Sequence, residues 1–155
     1  MIRLEVTGIR LLTPEDPPVL LLKEEAGSRC LPIWIGTPEA AAIAIALEGE
    51  AASRPMTHDL LATLLTLLAP EAGEVVITGI DEGVYQAEIR LEGRVIECRP
   101  SDAVAAAVRL GWPIRCPRAL MDQVGVEIEA SPTDEVEAFR AFLDSVNADD
   151  FEEKP

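Results

Sequence analysis

Apolar and polar residues alternate from the start of the chain. Ile2, Leu4 and Val6 share one phase, and Ile9 and Leu11 take the other. A strand with a bulge near Gly8 accounts for that shift. The stretch VLLLKEEAGSRCLPIWI reads as two strands joined by a turn at Ala26-Gly27. TPEAAAIAIALEG then opens a helix, with Thr37 as the N-cap, Pro38 at the first helical position and Gly49 at the end. That helix is apolar nearly all round, which predicts burial, and its alanines permit close approach. RPMTHDLLATLL begins the next helix, in which Leu61, Leu64, Leu65 and Leu68 make a helical stripe.

The pattern then restarts. VVITGI at 75–80 echoes LEVTGI at 4–9, including the Thr-Gly pair and the change of phase. Tyr85, Ala87, Ile89 and Leu91 alternate with Gln86, Glu88, Arg90 and Glu92, the mark of a half-exposed strand. Glu92-Gly93 turns the chain into RVIEC. Pro100–Gly111 matches Pro38–Gly49 in length and alanine content, and Pro117 lies 62 positions beyond Pro55, as Pro100 does beyond Pro38. The shared order predicts an internal duplication of a β-β-β-α-α unit, about 1–69 and about 70–126. The fold class expected is α+β, with two mainly antiparallel sheets or halves packed against Ala-rich buried helices. The remainder, 127–155, reads as an acidic extension with one amphipathic helix. That helix begins near Ser131-Pro132 and carries Val136, Phe139, Leu143 and Val146 on one stripe.

Charge changes the picture most. The formal net charge is −15, with ten acids against Arg140 and Lys154 in residues 127–155 alone. No short window is a basic cluster, so the footprint of nonspecific nucleic-acid binding is missing. A length of 155 residues and 48% hydrophobic content suit one folded domain with a real core. Cys30, Cys98 and Cys116 are an odd count without a CxxC pair, which argues against a disulfide framework and a zinc site. The longest apolar run, Ala40–Leu47, is far too short to span a bilayer, and the N-terminus lacks a secretory apolar region. The expectation is a soluble, cytoplasmic protein without membrane partners.

Several of these stretches resemble the bifunctional nuclease domain family: LLKEEAGSRCLPIWIG, Glu39-Ala40 with its Ala/Ile helix, RPMTHDLL, the strand around Tyr85-Gln86-Ala87, and RPSDAVAAAVR with Pro113-Ile114. They cover roughly residues 1–126 and fall in the family's order and spacing. DEVEAFRAFLDSVNADDF resembles the extension of actinobacterial members. Two positions depart from the pattern: Glu97-Cys98 stands where the family has Asp and a small residue, and Gln86 stands in a strand that is commonly aromatic. The resemblance implies a compact, dimeric α/β domain and nuclease activity on RNA and DNA. It carries no catalytic assignment, so the site must be argued from the residues.

His58 is the only histidine. If its helix begins at Thr57 or His58, His58 projects with Leu61, Ala62 and Leu65, while Asp59 projects about 100° away. Adjacent in sequence, the two do not form a dyad. The positive end of a helix dipole favours a neutral imidazole, which can accept a proton from water or a ribose 2′-hydroxyl. The same helix start offers backbone N–H groups to a phosphate, with Arg54 and Thr57 beside it. RPSDAVAAAVRL repeats the arrangement with Arg99, Ser101 and Asp102. His58, Asp59 and Asp102 are therefore the catalytic candidates, and Arg54, Thr57, Arg99 and Ser101 the substrate-binding ones. Glu39, Asp59 and Asp102 can converge on Mg²⁺ or Mn²⁺; no zinc, haem or nucleotide cofactor is expected.

Plainer roles compete. Thr57 and Ser101 suit N-caps, Asp59 and Asp102 suit a first helical turn, and the two arginines suit internal ion pairs. Trp34 and Trp112 read as core or interface aromatics rather than base-stacking platforms. Three functions remain open: a metal-assisted phosphodiesterase acting on RNA or DNA, a non-catalytic homodimeric assembly module, and a pocket for a small anionic ligand.

Overall fold

The computed structural model describes residues 1–11 and 13–127. The elements are β1 (Ile2–Arg10), β2 (Val19–Glu24), β3 (Arg29–Trp34), α1 (Thr37–Leu47), α2 (Thr57–Leu68), β4 (Glu74–Asp81), β5 (Val84–Leu91), β6 (Arg94–Cys98), α3 (Pro100–Leu110), β7 (Ile114–Cys116), α4 (Arg118–Val124) and β8 (Val126–Glu127). The fold is α+β, as its pattern predicts. The helix expected near Ser131 lies outside the described residues.

Three strands and two helices follow one another twice, but they build one sheet rather than two. Its order is β6-β5-β4-β7-β1-β2-β3-β8. The join is β7, which pairs parallel to β4 and antiparallel to β1. β7 sits between α3 and α4, and no strand occupies the corresponding place between α1 and α2. Three residues, Ile-Arg-Cys, are too few to announce a strand by alternation. Partners on both sides supply the hydrogen bonds that make them one.

Both expected phase shifts are β-bulges. The β1–β2 register slips between Val6 and Gly8, and the β4–β5 register slips between Ile77 and Gly79. One extra residue at Thr7 and at Thr78 lets Val6 and Ile9, and likewise Ile77 and Ile80, turn the same face to the helices. Gly8 adopts φ +149, which an L side chain rarely takes. That face carries Leu4, Leu20, Leu22, Leu31, Ile33, Val75, Ile77, Ala87, Ile89 and Ile114 into the core.

Above it the helices depart from expectation in three ways. The helix buried nearly all round is α3, where residues 100–107 are all buried except Asp102. α1 buries only Ala40 and Ile43. α3 lies between α1 and α2 with the sheet beneath it, so it meets protein on three sides, while α1 has a free flank. The stripe on α2 is also rotated: Ala62 and Leu65 are buried, whereas Leu64 and Leu68 stand 48% and 54% exposed. Finally, the helices start earlier than Thr37, Thr57 and Ser101 suggest. Gly36, Met56 and Arg99 are the N-caps, and none makes a conventional side-chain cap. The proline at the start of α1 and α3 removes a donor that would otherwise need a cap. No described helix is long and apolar enough to cross a membrane.

Candidate active site

The first turns of α1, α2 and α3 meet at the rim of a cavity of about 610 Å³. Each of them brings one acid at its third helical position: Glu39, Asp59 and Asp102. Favourable placement near a helix start explains the residue type. The way the helices lie side by side explains why three such acids line one cavity.

At its centre, His58 Nε2 lies 2.9 Å from Asp102 Oδ1. The partner of His58 is thus the acid of the other Arg-Pro helix, not its neighbour Asp59. Asp102 also receives Arg99 Nε on Oδ2 at 2.8 Å and Arg99 Nη2 on Oδ1 at 3.1 Å. The same Nη2 donates to Glu39 Oε1 at 2.7 Å. Arg99 therefore ties the start of α1 to the start of α3. Gly36 makes this possible, because a side chain there would collide with the Glu39 carboxylate.

Asp59 takes a separate path. It accepts the Met56 backbone N–H at 2.9 Å, closing the start of α2, and Arg109 Nε at 2.7 Å. Arg109 gives its other nitrogens to the carbonyls of Ala105 and Ala42, at 2.8 and 3.0 Å. It thus joins all three helices. Arg109 is the residue that sequence reasoning missed. Its one signal is that it stands as the lone cation of its helix, after the apolar run Ala103–Val108.

Electrostatics follow from these contacts. Burial pushes the Asp102 carboxyl upward, but hydrogen bonds from Arg99 and His58 outweigh it and hold the group below its ordinary range. The Arg99 side chain and the backbone N–H of Glu39 lower the Glu39 carboxyl, while the Met56 N–H and Arg109 lower Asp59. Arg99, shared by two carboxylates, is raised. Two guanidinium groups stand against three carboxylates here, so the large overall negative charge is not concentrated at this cavity. Cys98, on the cavity wall, is pushed up to about 11, chiefly by burial. It stays a thiol at neutral pH.

An ionised carboxylate can only accept hydrogen bonds, so the proton between His58 and Asp102 belongs to Nε2. In the neutral ring the lone pair is then on Nδ1, which has no partner among the described residues. Around this polar floor the cavity walls are apolar, with Ile45, Leu61, Ile89 and Ile96. Thr57 lines the rim. Arg54 is exposed, does not line this cavity and pairs with no described carboxylate. Ser101 is buried and faces a neighbouring cavity instead.

The acids do not gather as a metal would require. Arg99 stands between Glu39 and Asp102, and Arg109 draws Asp59 aside. Among the described residues no group of three or more His, Cys, Asp or Glu is placed to hold a cation.

An α+β protein with a His–Asp pair at the meeting point of three helix starts is the class this geometry defines. Residues 20–129 match the bifunctional nuclease domain, and the chain belongs to that family. It is also 45% identical over 156 residues to two uncharacterized proteins of Mycobacterium tuberculosis, one from strain CDC 1551 / Oshkosh and one from strain ATCC 25618 / H37Rv. In each case the match takes in 94% of this chain and 95% of the relative.

Proposed function

We propose that this protein is a nuclease that hydrolyses phosphodiester bonds of RNA or DNA with His58 as general base. The observation that carries the reading is the 2.9 Å contact between His58 Nε2 and Asp102, which orients the ring and leaves Nδ1 to accept a proton. In RNA the deprotonated 2′-oxygen bonds to phosphorus and the bond to the 5′-oxygen of the next nucleotide breaks, leaving a 2′,3′-cyclic phosphate that water then opens. In DNA a deprotonated water bonds to phosphorus and one ester P–O bond breaks. In both, the leaving oxygen takes up a proton from the His58 imidazolium or from solvent. Asp102 acts through His58 by fixing its tautomer and by stabilising the imidazolium that forms. Arg99 is 64% exposed on its side chain and can meet a phosphate oxygen while retaining Asp102. Thr57 and the backbone N–H groups at the start of α2 add donors at the rim.

The test is cleavage of single-stranded RNA and DNA by the purified chain. His58→Ala is expected to lower the rate by about 10²- to 10⁴-fold. A variant that retains the full rate sinks the assignment. We assign no step to a cation, because the acids are engaged by arginines. Parallel reactions with Mg²⁺, Mn²⁺ or chelator read whether one is needed.

A second reading, a homodimeric assembly, rests on α2. Met56, Leu60, Leu64 and Leu67 stand 60%, 55%, 48% and 75% exposed along its outer side. A contiguous apolar helix face of this kind fits a partner surface. Light scattering of the intact chain, with Leu64→Glu as the disrupting variant, measures it. A monomeric wild-type protein removes the reading.

A further inference from the structure

A second cavity, of about 460 Å³, lies on the other side of Arg99. It is walled by the end of β3, the hairpin between β4 and β5, and the first turn of α3, and Arg99 lines both cavities. Two aromatic side chains face each other's neighbourhood here: Trp34, 54% exposed, and Tyr85, half-buried. Trp34 reads from the sequence as a core or interface aromatic, and it is not in the core. In the single chain a large flat side chain faces solvent in a concavity, where apolar surface is costly to leave uncovered. A second, independent feature lies at the same place. Ser101 lines this cavity, is 5% exposed, and its hydroxyl makes no hydrogen bond among the described residues. With no protein partner, the hydroxyl keeps its donor and acceptor capacity free for a ligand in the cavity beside Trp34.

We propose that this cavity binds one nucleobase of a single-stranded nucleic acid, stacked on Trp34 and hydrogen-bonded at its edge by Ser101. The proposal deepens the nuclease reading and rests on it for the identity of the substrate. A base has a flat π-face for the indole and edge donors and acceptors for the hydroxyl, whereas an aliphatic ligand has neither. Because Arg99 is the shared wall, the phosphate next to the stacked base falls on the His58 side. The division of labour also answers the charge problem. Without a basic groove, affinity comes from stacking, which does not depend on neutralising many phosphates. A duplex keeps its bases paired and stacked within the helix, so the site selects unpaired strands.

The experiment is binding, read separately from cleavage. Anisotropy of a fluorescein-labelled single-stranded hexanucleotide is measured with the full chain, with Trp34→Ala, Trp34→Phe and Ser101→Ala. Adenosine 5′-monophosphate and ribose 5-phosphate serve as competitors. Trp34→Ala is expected to weaken binding by roughly tenfold or more, and Trp34→Phe to keep most of it. Ser101→Ala breaks no internal hydrogen bond, so the fold stays intact, and binding is expected to weaken by roughly three- to tenfold. The nucleotide should compete and the base-free sugar phosphate should not. Unchanged affinity in Trp34→Ala overturns the proposal, as does equal competition by ribose 5-phosphate. So does a Trp34→Ala protein that loses its oligomeric state yet binds the oligonucleotide as before, which makes the surface an interface. Wild-type protein that binds through Trp34 but never cleaves refutes the catalytic reading and leaves the base site standing.

Discussion

Two helices in this protein open on the same short phrase, Arg-Pro followed by a polar turn, and end in opposite situations. α3 is enclosed: Ala103, Val104, Ala105 and Ala106 are fully buried, and its leading Arg99 is held by two carboxylates. α2 lies on the outside, with its leading Arg54 unpaired among the described residues and four of its leucines exposed. The difference is one of position. α3 rests on β4 and β5 between two other helices, where small side chains are the ones that fit. α2 packs chiefly against α3, and its outer side is exposed. The enclosed helix thus supplies a rigid acid, and the outer one brings the histidine to it.

If that division is right, the two acids at the helix mouths are unequal. Asp102→Asn is expected to lower cleavage by about 10²- to 10⁴-fold and to alter the pH–rate profile, because it touches His58. Asp59→Asn is expected to cost less than about tenfold, since Asp59 holds Arg109 instead. Equal losses in a side-by-side kinetic comparison make the pairing irrelevant to catalysis.

Packing offers a second contrast. Ala105→Leu forces three carbons into a site with no exposed surface and should destabilise the fold by about 1–3 kcal/mol. Leu64→Ala on α2 should change the stability of the isolated chain by no more than about 0.5 kcal/mol. Urea unfolding measures both, and similar midpoints for the two variants contradict the enclosed-versus-outer picture.

Acid provides a third. Asp102, Glu39 and Asp59 have carboxyls lowered in the folded state. Such groups stabilise the fold above their unfolded pKa, about 4, and that contribution is lost as pH falls through the lower folded values. Stability should therefore drop below about pH 4, and Arg99→Gln should make the drop shallower by freeing Asp102 and Glu39. A variant curve parallel to wild type tells against Arg99 as the cause.

The smallest effect is expected at Arg54. Arg54→Ala should weaken oligonucleotide binding by less than about tenfold and reduce its salt dependence by about one phosphate contact. An unchanged salt slope means that this arginine meets no phosphate.

Much of the fold was legible in the chain. The two Thr-Gly bulges, the alternation of Tyr85 to Leu91 and the prolines opening α1 and α3 are local rules written in adjacent residues. Separation of His58 from Asp59 also followed from the helical repeat alone. The sheet's join was not legible, because β7 is a strand only by virtue of the neighbours on either side. Nor was the rotation of α2, since leucines at 60, 61, 64, 65, 67 and 68 allow more than one buried stripe.

Sequence by itself determined most of the elements, the residue types at the three helix mouths and the family resemblance. Tertiary structure decided which of those residues meet. Asp102 lies 44 positions from His58 and Glu39 lies 60 from Arg99, and no local rule joins them. They come together because α3 is pressed between α1 and α2, so that charges chosen to suit separate helix starts become one another's partners. Ser101 and Trp34 follow the same logic in reverse: read by type as a cap or substrate-binding residue and as a core or interface aromatic, they face one cavity because of the helix and hairpin around them.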